Sequence, residues 1–126
     1  MPRMSSAQKE LTRRSRRRTG YPIGTIAYYG PTDQLATKVA VGIVDKSDDP
    51  KLLQRWFSTT GDIRFDMDVI QEILNFLDSH NVSRVAMADR IIGCPHEEGI
   101  DYPDGQSCPE CPFWHGRDRW TGELLH

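Results

Sequence analysis

Cys94, His96, Cys108 and Cys111 fall within eighteen residues and form two half-sites, Cys94-Pro95-His96 and Cys108-Pro109-Glu110-Cys111. A C-x-H pair facing a C-x-x-C pair offers three thiolates and one imidazole, the soft donors that tetrahedral zinc prefers. These are all the cysteines in the chain. Three thiols suit metal ligation better than a disulfide framework, and a reduced cytoplasm better than an oxidising compartment. Four protein donors complete a tetrahedron, whereas catalytic zinc keeps one corner for water. The expected cofactor is therefore Zn2+ in a structural role.

The segment between the half-sites, Glu97 to Ser107, lacks apolar periodicity and contains Gly99, Pro103 and Gly105. Burial alone would not order it, so bound metal would supply the missing stability. Pro112-Phe113-Trp114 offers aromatic cover for the site, and His115 is a further nitrogen donor nearby. The run His96-Glu97-Glu98 with the later Cys108-x-x-Cys111 partly resembles the zinc-dependent nucleoside and nucleobase deaminases. That family pairs H-x-E or C-x-E with P-C-x-x-C, and the resemblance would make Glu98 the proton-moving acid. It covers this run alone. Ser107 stands where the family has proline, and the interval between the halves is much shorter than the family's. Cys94 also competes for the corner that the family leaves to water.

A second chemistry would use carboxylates. Asp45 follows a predicted strand ending at Val44, and Asp89 follows one ending at Ala88. Were those strands neighbours, both acids would emerge at one sheet edge. With Glu97 and Glu98 they would form the candidate active acids of a metal-dependent hydrolase or nuclease. Aspartates also end strands simply because they favour turns.

Charge divides the chain. Residues 1–20 carry seven basic side chains against Glu10 alone, while the rest carries nine against seventeen. A basic arm on an acidic body is the expectation, with Lys9, Arg13, Arg14, Arg16, Arg17 and Arg18 as the residues for RNA or DNA phosphates. The arm's apolar content is Met1, Met4, Ala7 and Leu11, too little for a helix face of its own. It is expected to be disordered, with at most a frayed helix over 6–13. Residues 91–116 hold five acidic side chains and no lysine or arginine, so the zinc face is expected to dock a protein partner and repel nucleic acid.

The elements that must position these groups follow from periodicity. Residues 21–29 and 36–44 read as strands joined by the Gly30-Pro31 turn into an antiparallel hairpin, and 52–58 as a third strand. Val69, Ile70, Ile73, Leu74 and Leu77 recur at helical spacing behind an Asp66 N-cap, with Asn81 placed to end the helix. Residues 83–88 then read as a buried strand, reached by a crossover beside an earlier strand. The fold class expected is α+β: a three- to four-stranded sheet, one main amphipathic helix, and a C-terminal zinc loop.

The divisions are an arm (1–20), a core (21–90), the zinc loop (91–116) and a tail (117–126). No stretch approaches the roughly 18 apolar residues of a membrane span. Arg13-Arg14 lacks the apolar segment and cleavage pattern that would make it an export signal. A binding or adaptor module, with no membrane partner, is expected in preference to an enzyme.

Overall fold

The strand signals fold into a meander because each connection is short and rich in turn formers. In the computed structural model, which describes residues 5–46, 50–97, 99–105 and 108–115, α1 (Ser6–Ser15) precedes β1 (Ile23–Tyr29), β2 (Lys38–Val44) and β3 (Pro50–Phe57). A 3-10 turn at Ile63–Phe65, α2 (Met67–Ser79) and β4 (Arg84–Ile91) follow. The sheet is mixed, in the order β3-β2-β1-β4. β1 and β3 pair antiparallel with β2, and β4 pairs parallel with β1. The α2 crossover thus carries the chain from one outer strand to the other. No helix among the described residues is long and apolar enough to cross a membrane.

Register divides the sheet into two unlike faces. Ile26 and Tyr28 of β1 lie beside Val41 and Val39 of β2, and with Ile43 and Val85 they are buried under α2. At Gly24 the helix comes so close that an added Cβ would lie 2.7 Å from Leu77 Cδ2. The opposite face presents Thr25, Leu53 and Phe57 to solvent. On α2, Asp66 accepts from the N–H groups of Asp68 and Val69, and Asn81 takes a positive φ just past the last turn. These are the stop and start that its sequence calls for.

Two expectations are corrected. The arm expected to be disordered is a helix from Ser6 to Ser15, opened by a reciprocal Ser5–Gln8 capping box. Leu11 is buried and Ala7 packs on the same core, while α1 lies against α2 and β4. Ala7 and Leu11, one turn apart, are too few to make a core but enough to dock on an existing one. Arg14 fastens them, donating to Val82 O at 3.1 Å and pairing with Asp78 at 2.8 Å. The second correction concerns β4, which continues through Asp89 to Ile91. Its register shifts between Ile26 and Tyr28 of β1, letting the strand run past the apparent stop at the acid.

Asp62 staples the approach to α2 onto the approach to β2. Its carboxylate accepts from Ala36 N at 3.2 Å, Arg64 N at 3.0 Å and Arg64 Nη2 at 2.6 Å. Burial pushes this carboxyl up, but the hydrogen bonds from Arg64 and Ala36 outweigh it and hold it below the usual range. A depressed carboxyl stabilises fully above its unfolded pKa and loses that contribution as pH falls through the folded one. Asp62→Ala should cost about 1–3 kcal/mol at neutral pH in urea unfolding. Asp62→Asn should flatten part of the loss of stability on acidification.

Candidate metal centre

The first half-site is placed by the sheet. Beyond β4, Ile92 N donates to Tyr28 O at 3.0 Å, and Gly30 N donates to Gly93 O at 2.9 Å. This brings Cys94 out at the C-terminal end of β1. The second half-site is pinned to the same point, because Trp114 Nε1 donates to Gly30 O at 2.7 Å. Trp114 sits in a 3-10 turn at Pro112–Trp114 that starts directly after Cys111. Gly30 is thus the shared anchor, and it has no room to spare: a Cβ there would lie 1.7 Å from Leu35 O.

Between the anchors the four donors converge. One ligand atom from each of Cys94, His96, Cys108 and Cys111 lies within 4.8 Å of all the others. His96 Nδ1 is 3.4 Å from both Cys108 Sγ and Cys111 Sγ. A tetrahedral ion with bonds of about 2.3 Å to sulfur and 2.0 Å to nitrogen would separate S and N by about 3.5 Å, so the spacing fits. The other ring nitrogen, His96 Nε2, faces Glu110 Oε2 at 3.0 Å, an acceptor that fixes the ring with Nδ1 toward the thiols. All three cysteines are buried, in a small cluster with Tyr102 and the flank of Trp114. Burial pushes the Cys94 thiol up, and burial together with neighbouring Cys94 and Cys108 pushes Cys111 up to about 12. A cation is what would draw these protons off, so loading the site releases protons.

Charge compensation comes from the sheet. Lys38, buried to 3% exposure on β2, donates to Pro95 O at 3.0 Å and to Glu97 Oε1 at 2.9 Å. Its ammonium lies 5.3 Å from the Tyr29 ring centre and 5.7 Å from that of Phe57. Arg55 on β3 pairs with the same Glu97 carboxylate. The loop is acidic in sequence, yet its first acid is bound by two cations contributed by other strands. Glu97 is therefore a clasp and no free acid. The Lys38 hydrogen bond holds its carboxyl below the usual range against burial, with Arg55 adding to the effect.

The remaining candidates are placed as follows. β2 and β4 are separated by β1 and run in opposite directions, so their C-terminal ends lie at opposite edges of the sheet. Asp45 follows Val44, beside the start of β1, whereas Asp89 lies near its end. The expected convergence of these two acids is overturned. The Asp89 side chain and Glu98 lie outside the described residues, as does the tail (117–126). His115 lies beside the four-donor group, its Nε2 2.6 Å from Cys108 O. Of the six basic candidates, Lys9, Arg16, Arg17 and Arg18 are exposed. Arg13 is exposed but paired with Glu10, and Arg14 is consumed in docking α1. Sequence reading missed Lys38, Arg55 and Tyr102; nothing local marks a strand lysine as the partner of an acid nearly sixty residues on. No known protein family, characterised protein or solved structure matches this chain.

Lys38→Met should leave Pro95 O without its donor and Glu97 with Arg55 alone, at a cost of about 1–3 kcal/mol. Calorimetry of the metal-loaded variant, with competition by a chromogenic chelator, reads the lower melting temperature and faster metal loss. Because the Glu97 pKa is depressed, the clasp is intact at and above ordinary carboxylate pKa values and opens as pH falls through the lowered one. Metal retention in Lys38→Met should accordingly vary less with acidification than in the parent protein.

Proposed function

We propose that the protein is a zinc-stabilised interaction module that holds nucleic acid by its phosphates through the exposed side of α1. One observation supports the metal assignment: three thiols and an imidazole gathered within 4.8 Å of one another, with His96 Nδ1 3.4 Å from two of the sulfurs. The soft donor set favours zinc over hard ions, and four protein ligands leave no corner for water. Zinc held there would cross-link a loop of little apolar content to the end of the sheet and supply no bond-breaking chemistry. The separation of Asp45 from Asp89 removes the geometry on which a carboxylate hydrolase would depend.

The nucleic-acid reading is supported by the way α1 docks. Leu11, Ala7 and Arg14 face the core, so Lys9, Thr12, Arg13 and Arg16 border a surface recess of about 320 Å3. Arg17 and Arg18 continue the basic surface beyond it. The docked helix carries Lys9 and Arg13 and ends at Arg16, which lowers the ordering cost of phosphate contact at these three cations relative to a free tail. The acidic metal loop remains the surface for a basic protein partner.

Metal analysis of protein purified without chelator should return one zinc per chain, and Cys111→Ser should lose it and melt at a markedly lower temperature. Anisotropy with labelled duplex DNA and RNA should show binding that weakens steeply with salt. The triple variant Lys9→Glu/Arg16→Glu/Arg17→Glu should lose most of that binding, its salt slope falling by about 0.9 for each phosphate contact removed. Binding that is insensitive to salt, or unchanged in the triple variant, would refute the phosphate reading and leave the zinc assignment standing.

A further inference from the structure

Among the described residues β3 is an outer strand of the sheet, with no strand paired to its far edge. Ser58 N donates to Thr37 O at 2.9 Å, which sets the alternation along the β2–β3 ladder. Leu52, Gln54 and Trp56 therefore bond toward β2, and the main-chain N–H and C=O groups of Leu53, Arg55 and Phe57 point outward. The strand's first residues carry the usual protection: Pro50, and a register irregularity where Val44 meets it. From Leu52 to Phe57 the pairing is regular, and apolar side chains are exposed on both faces, Leu52 at 42%, Leu53 at 54% and Phe57 at 64%. A regular edge with apolar flanks on both sides is a template for another strand.

We infer that this edge pairs with β3 of a second copy, antiparallel about a two-fold axis at Gln54, joining two sheets into one continuous sheet. Register selects this arrangement. An axis at Arg55 would set two guanidinium-bearing side chains directly opposite each other, a destabilising like-charge pair. An axis at Leu53 would oppose Lys51 to Arg55 and leave only the short stretch from Leu52 to Gln54 in regular pairing. The axis at Gln54 uses Leu52 to Trp56 on each chain and opposes no like charges. It places Leu52 against the partner's Trp56 on one face and Leu53 against the partner's Arg55 on the other, amide meeting amide at the centre. The outward groups of Leu53 and Arg55 then exchange hydrogen bonds in both directions. Arg55 is already held by Glu97, so the charge facing Leu53 of the second copy is partly neutralised. A second copy of the chain is the occupant that such a self-complementary strand fits.

Sedimentation velocity on the full chain, from micromolar to submillimolar concentration, should show a monomer–dimer equilibrium. Leu53→Lys should raise the dissociation constant at least about tenfold while leaving circular dichroism and melting of the monomer unchanged. Gln54→Lys and Gln54→Glu should each be monomeric alone and form a heterodimer when mixed, because the two positions are opposed. The Leu52→Lys and Leu52→Glu pair, held apart by four residues of offset, should not recover on mixing. A parent chain that stays monomeric throughout the range overturns the inference, as does a Leu53→Lys variant that still dimerises or a Gln54 mixture that fails to associate.

Discussion

One buried ammonium joins the two halves of this protein. Lys38 leaves the sheet between two aromatic rings and ends on the Pro95 carbonyl and the Glu97 carboxylate, both beside the candidate ligand His96. A lysine taken out of water is costly unless its charge and donors are matched. The metal loop provides that match, and the lysine in turn tells the loop where to lie. Sheet and loop are therefore interdependent. The loop has little apolar content of its own, and the sheet would otherwise carry an unsatisfied charge at the start of β2.

The clasp also explains how an acidic, glycine-punctuated segment can hold four ligands in register. Its two ends are fixed to the end of β1, one through Gly93 and the other through the Trp114 indole, both at Gly30. Tyr102 fills the interior of the loop against the cysteines. Within this frame His96 is oriented by Glu110, and the Cys108 carbonyl by His115. Such outer contacts set the geometry of a metal site as much as the ligands do.

Much of this was legible along the chain. The strand pattern of β1 to β3, the apolar stripe of α2 and its Asp66 cap are recorded within a few residues of each other, and each formed as its local chemistry directs. The clustering of four soft donors was legible for the same reason, since half-site spacing is short-range information. The errors share a different character. α1 looked unsupported because the surfaces that bury Leu11 belong to α2 and β4, far along the chain. Glu97 looked like a free acid because its partners Lys38 and Arg55 lie on strands. Asp45 and Asp89 looked equivalent because strand direction is invisible until the pairing is known.

Sequence alone determined the donors, the helix and strand periods, and the uneven distribution of charge. Each of these depends on residue type and on spacings shorter than a turn or two. Tertiary structure decided which charges are neutralised, which acids are kept apart, which arginine is used to dock a helix, and which strands lie outermost among the described residues. Those outcomes depend on pairing between segments 40 to 70 residues apart. A charge or an apolar side chain carries no mark of the partner that the fold will bring to it.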